Sequence, residues 1–122
     1  MNIEEFRNYC LRKAHATEGF PFGPETLVFK IGGKIFALTG LDEANFSVNL
    51  KCNPEYALEL REKHPEVQPG FHMNKKHWNT VQFDGSLSDS FLQELIDHSY
   101  ELVFNSLPKS QRNELIRNHE EL

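Results

Sequence analysis

The sequence predicts a two-layer α+β fold, an antiparallel sheet of about four strands with helices mainly on one face. Three observations carry this reading. Thr26–Ile31 and Lys34–Thr39 are apolar, β-branched segments joined by Gly32-Gly33, a dipeptide able to supply the positive φ angles of a tight hairpin. Phe46–Lys51 alternates cleanly: Phe46, Val48 and Leu50 point one way and Ser47, Asn49 and Lys51 the other, so one sheet face is buried and its opposite is polar. Phe91, Leu92, Leu95, Ile96, Leu102 and Val103 form a helical apolar stripe suited to cover the buried face.

The elements follow in order. Asn2 and Glu5 have capping-box spacing, and Ile3, Phe6 and Cys10 recur at helical intervals, so the chain opens with a helix. Gly19-Phe20-Pro21-Phe22-Gly23-Pro24 is a loop, because its prolines and glycines break any helix; Phe20 and Phe22 are expected to tuck under the sheet, the alternative being an exposed apolar contact for a partner or ligand. The hairpin and the alternating strand come next, separated by a polar turn over 40–45. Asn53-Pro54-Glu55 then supplies an N-cap, a first residue whose missing N–H is not needed, and an acid at the positive helix end. That second helix runs to about His64, Pro65 stops it, and Glu66–Gly70 reads as a turn. Trp78–Phe83 is the fourth strand, with Val81 and Phe83 inward and Trp78, Thr80 and Gln82 outward. Ser88 caps the long third helix, Pro108 breaks it, and Lys109–His119 forms a short last one. No repeat or linker interrupts the chain, so 1–122 reads as one domain.

Composition narrows the function classes. Of 122 residues, 39% are hydrophobic and ten are Phe, enough for a core. The net charge of −5 argues against a protein that grips phosphates with its whole surface. No apolar run approaches a membrane span and the first residues lack a signal-peptide pattern, so a soluble cytoplasmic protein is expected. Cys10 and Cys52, without CxxC spacing, read as reduced thiols.

Charge is uneven along the chain, with sums of −1 over 1–50, +1 over 51–83 and −5 over 84–122. From Val67 to Phe83 there is no acid at all. Within that window, Pro69–Val81 (PGFHMNKKHWNTV) mixes two aromatics, two lysines, two histidines and two amides. Cations interleaved with aromatics suit phosphate contact combined with base stacking. The same composition also suits a solvated edge connection anchored by its one Trp.

This segment, the Asn53-Pro54 helix with Leu60-Arg61, and Leu95-Ile96-Asp97-His98-Ser99-Tyr100 together resemble the MmcQ/YjbR family of small bacterial proteins, over roughly Ile3 to Leu107. The resemblance implies a CyaY-like (frataxin-type) α+β fold. It also implies a DNA-binding role, by comparison with the double-wing domain of a phage transcription factor. It carries no catalytic residues over.

Other chemistry has thinner support. His72 and His77, with His64 and Cys52 near in sequence, lack zinc-site spacings, and Glu4 and Glu5 are too few for an acidic iron site, so neither metal nor cofactor is expected. Cys52, His72 and Asp84 do not have the spacing of a known nucleophile triad, and there is no GxSxG, GxGxxG or GxxxxGK[ST]. A non-enzymatic role is therefore expected. The leading expectation is weak, salt-sensitive DNA binding. Lys75 and Lys76 would neutralise phosphates, His72, His77, Asn74 and Asn79 would hydrogen-bond, Trp78 would stack, and Lys30, Lys34 and Lys51 would extend the track across the open sheet face. Arg61 and Lys63 would add to this basic rim. The alternative is a small-ligand or protein-interaction module using the same segment as a pocket wall. No membrane partner is expected.

Overall fold

The computed structural model describes residues 1–120, with side chains described as far as Arg117. Helix α1 (Ile3–Leu11) is followed by β1 (Thr17–Gly19), β2 (Thr26–Ile31), β3 (Lys34–Gly40) and β4 (Ser47–Lys51). Then come α2 (Pro54–Lys63), β5 (Val67–Pro69), β6 (Trp78–Gln82), α3 (Asp89–Ser106) and α4 (Lys109–Glu120). The strands form one sheet in the order β1-β2-β3-β4-β6-β5, antiparallel at every pairing.

The sheet thus has six strands rather than about four. The two additional ones, β1 and β5, span three residues each and lie at the two edges, in segments that carry loop and turn residues. Pro69 is tolerated because β5 is an edge strand, where a missing ladder donor costs little. Gly32 and Gly33 turn the β2–β3 hairpin with φ of 59° and 82°, both positive as a type I′ turn requires. A register shift between Phe29 and Lys30 pairs Phe29 with Ala37 but Lys30 with Ile35, which leaves Phe36 and Ala37 both buried.

Local signals fix the helix starts. Asn2 and Glu5 form the reciprocal capping box, Asn53 Oδ1 accepts from the N–H groups of Glu55 and Tyr56, and Ser88 Oγ accepts from Phe91 N–H. The core lies between the sheet and α1, α2 and α3. Phe6 sits within it, edge-on to Phe29, Phe46 and Phe83 at ring-centroid distances of 5.4, 5.8 and 5.6 Å. Ser99 of α3 is fully buried, where it donates to Phe36 C=O and accepts from Lys51 N–H, stitching α3 to β3 and β4. Both cysteines are free and buried. Among the described residues no helix is long and apolar enough to cross a membrane.

One packing expectation is overturned. Phe20 and Phe22 do not tuck under the sheet; they are 50% and 66% exposed. The Pro- and Gly-rich loop has no periodicity that would direct its rings inward.

Candidate nucleic-acid interface

The face turned away from the helices carries a row of residues set by strand register. Val28 pairs with Leu38, Leu38 with Asn49, Asn49 with Thr80, and Thr80 with Gln68. Charge divides along the strands. Lys34 begins β3, Lys51 ends β4, Lys30 is next to last in β2, and Lys75 and Lys76 precede β6, so all five lie at one end of the sheet. Lys51 pairs directly with Trp78 across β4 and β6. The opposite end holds Glu25, Asp42, Glu43, Glu66 and Asp84, in or beside the turns that close the strands there.

Among the described residues, none of the ion pairs involves these five lysines. Glu18, the acid nearest Lys30 along β1, is held by Arg7 at 2.5 Å, and that contact lowers the Glu18 carboxyl below its usual range. Lys63 is paired with Glu59. Two carboxylates of the acidic C-terminal surplus, Glu120 and Glu121, lie outside the residues whose side chains are described.

The segment between β5 and β6 is held from two sides. On the open face, Phe71 N–H donates to Thr80 Oγ at 2.8 Å, Asn49 Nδ2 donates to Phe71 C=O at 3.3 Å, and the Thr80 hydroxyl donates to Asn49 Oδ1. One cross-strand polar pair therefore clamps both backbone groups of Phe71, while its ring stays 62% exposed against the His72 ring at 4.1 Å. His72 holds φ of 60°, a left-handed conformation uncommon outside glycine. From the helix side, Arg61 of α2 reaches in: Nε donates to Asn79 Oδ1 at 2.7 Å, and Nη2 donates to the carbonyls of Lys75 and Trp78. Gly70 is required by close approach, since a Cβ there would sit 2.8 Å from Trp78 Cβ and 2.9 Å from its carbonyl oxygen.

Most of the sequence-predicted residues gather around this segment, in unequal states. Lys75 and Lys76 are exposed; Lys75 Nζ also donates to Gly70 C=O at 3.0 Å. Trp78 and His77 are half-buried and His72 is exposed. Lys30 lines a hollow with Phe20 and Val28, two strands from Lys51, and Lys34 is exposed beside the hairpin. Asn74 is exposed, but its Oδ1 accepts from Lys76 N–H and His77 N–H, so the carbonyl shapes the loop.

Asn79 is a correction. It is 2% exposed and faces the helices, where its Oδ1 receives Arg61. Alternation explains this, because Asn79 shares its face with Val81. Arg61 is also no part of a solvated rim, since its guanidinium is spent on Asn79 and the loop carbonyls.

Two hollows of about 380 and 370 Å³ lie on the open face and share Gly40, Glu43, Asn49 and Phe71. Ser47, Gln68, Thr80 and Gln82 floor the first, and Phe22, Leu38, His72 and Met73 line the second. Asn49, Thr80 and Glu43 were not among the predicted site residues, and Phe22 entered only as the alternative of an exposed apolar contact. The outward alternation of Asn49 and Thr80 is visible in the sequence; that they pair is set by register, which is not.

The buried titratable groups behave as structural ones. Burial pushes the Cys52 thiol up to about 11 against a weaker pull from Arg61, the reverse of an activated nucleophile. Burial lowers His98, whose Nε2 accepts from Asn53 N–H at 3.1 Å. Among the described residues no group of three or more His, Cys, Asp or Glu is placed to hold a metal ion.

Comparison with known proteins gives a consistent result. A family model described as YjbR matches residues 11–102. The uncharacterised protein YjbR of Escherichia coli strain K12 is 38% identical over 117 residues, spanning 96% of this chain and 99% of its own. The uncharacterised protein YbdF of Escherichia coli O157:H7 is 44% identical over 90 residues, 74% of each chain. Among solved structures, the Deinococcus radiodurans protein DR2400 superposes with a TM-score of 0.89 at 41% identity, over 93% of this chain and 87% of that one. A Pseudomonas syringae protein superposes with a TM-score of 0.74 at 31% identity, over 84% and 99%.

Proposed function

This chain belongs to the YjbR family, and from that premise we propose that it is a non-enzymatic DNA-binding protein that lays a strand across its open sheet face. The observation that carries the proposal is that Lys30, Lys51, Lys75 and Lys76 lie at one end of the sheet, free of carboxylate partners among the described residues, with Lys51 paired to the half-buried Trp78; Lys34 is at the same end but pairs with the core residue Ile31, so it borders the open face at the hairpin without lying on it. A molecule of net charge −5 attracts a polyanion only through such a local surplus. Lys75 and Lys76 contact phosphates, Lys51 and Lys30 continue the track, and His77 and Trp78 meet sugar and base beside them. Asn79 has no part in it.

Few phosphate contacts mean weak binding that weakens further with salt. Each contact adds a slope of roughly −0.9 in log K against log salt on duplex DNA and roughly −0.7 on a single strand. The test is fluorescence polarisation with mixed-sequence single- and double-stranded DNA at two salt concentrations, on the parent protein and the Lys75→Ala/Lys76→Ala variant. The proposal expects a negative slope that becomes shallower by roughly 1.4–1.8 in the double variant. Binding insensitive to salt, or unchanged in the double variant, refutes it. The alternative of a small-ligand module draws support from the two hollows, whose volumes fall within the ~300–1,000 Å³ typical of ligand sites.

A further inference from the structure

The two hollows that share Glu43 are not lined by the lysines, and their chemistry differs from a phosphate site. Glu43 lines both, exposed and without an ion-pair partner among the described residues, and its carboxylate lies over Gly40, where a Cβ would be 3.1 Å from Oε1. A carboxylate in that position repels phosphate and accepts hydrogen bonds. Phe22 and Phe71 line the same hollow with exposed rings, and Phe71 is fixed there by the Asn49–Thr80 clamp on its backbone. An exposed ring on a clamped backbone is a stacking platform, since the backbone part of its ordering entropy is met before any ligand arrives.

The open face therefore has two ends of opposite character along the strands: lysines at one, and an acceptor carboxylate with exposed aromatic rings lining the same hollow toward the other. A ligand matching both has an anionic end and a planar ring with N–H donors along its far edge. Among the natural bases, guanine alone offers two adjacent donors, N1–H and the exocyclic amine, to both oxygens of one carboxylate. We propose that this hollow takes a guanine base, stacked on Phe71 and Phe22 with its donor edge on Glu43 and its phosphate directed toward the lysine end. The inference rests on the DNA reading above for the source of the base; free guanosine monophosphate has the same chemistry.

The test is isothermal titration calorimetry on the full chain with a short all-thymidine strand, the same strand carrying one guanine or one inosine, and free guanosine monophosphate. One guanine is expected to tighten binding roughly tenfold over the all-thymidine strand, the discrimination of a good bidentate contact. Inosine, lacking the exocyclic amine, gives back most of that gain. Glu43→Gln and, separately, Phe22→Ala, both at exposed positions, should shrink the guanine-to-thymidine ratio toward unity. If thymidine and guanine strands bind equally, the base site is overturned and the DNA reading stands. If guanosine monophosphate binds with Glu43 dependence while no strand does, the site stands and the DNA reading falls. If neither strand nor nucleotide binds, both are overturned.

Discussion

Arg61→Ala tests how the candidate interface is held. The guanidinium donates to Asn79 Oδ1 at 2.7 Å, to Trp78 C=O at 3.2 Å and to Lys75 C=O. Asn79 is 2% exposed and its Nδ2 already lacks a protein partner, so losing Arg61 strands the whole amide in the core. An unsatisfied buried acceptor costs about 1–3 kcal/mol, and a bond to a charged donor contributes about 1.5–3 kcal/mol. Water replaces the half-exposed guanidinium at the two loop carbonyls, so only part of their bonds is lost. The net expectation is a destabilisation of about 3 kcal/mol. For a chain of this size that lowers Tm by roughly 12 °C, at about 4 °C per kcal/mol. Thermal unfolding followed by circular dichroism measures it, and Trp78 emission should shift red in the folded variant as the 70–78 segment loosens. A double-mutant cycle with Asn79→Leu should return a coupling of about 1–3 kcal/mol. A Tm within about 3 °C of the parent for Arg61→Ala, together with no coupling to Asn79, would refute the strut.

Gly70→Ala places a Cβ against the Trp78 backbone and should destabilise by about 1–3 kcal/mol with altered Trp78 emission; parent-like unfolding and fluorescence would count against the close approach. Ser99→Ala removes the acceptor of Lys51 N–H and should cost about 1–3 kcal/mol in chemical denaturation at unchanged m-value; no loss would show that this stitch is dispensable. His98 is lowered by burial, so its neutral form is the one the fold holds. Stability tied to it is complete above the unfolded value near 6.5 and is lost as pH falls through the lower folded value, and the drop in Tm across that window should shrink in His98→Gln. Cys10 and Cys52 are buried and burial raises both thiols, so neither should react with a thiol reagent near neutral pH until the chain is unfolded; rapid reaction of the native protein would contradict this.

Features governed by neighbours in sequence were legible before the structure. The Asn2–Glu5 box, the Asn53-Pro54 start, the Gly32-Gly33 turn and the Ser88–Pro108 limits of α3 are each decided within a few residues. The edge strands β1 and β5 were not, because three residues with Gly or Pro carry no period and exist only through pairing with distant partners. The outward rings of Phe20 and Phe22 likewise depend on what the sheet leaves uncovered. The site was half legible: alternation marked Thr80, Trp78, Asn49 and Lys51 as outward. The same alternation places Asn79 inward with Val81, and applying it consistently separates that amide from the binding residues. The polarity of the sheet, lysines at one end and acids at the other, needs the register of all six strands, and no linear charge sum shows it.

The most direct test of the lysine-ended open face as a polyanion site is chemical-shift mapping of the isotope-labelled protein titrated with a short DNA strand at low salt. The expected shifts concentrate at Lys30, Lys34, Lys51 and Lys75–Trp78, extend to Asn49, Phe71 and Thr80, and collapse when salt is raised. Shifts confined to α3 and α4, or absent at saturating DNA, would contradict it.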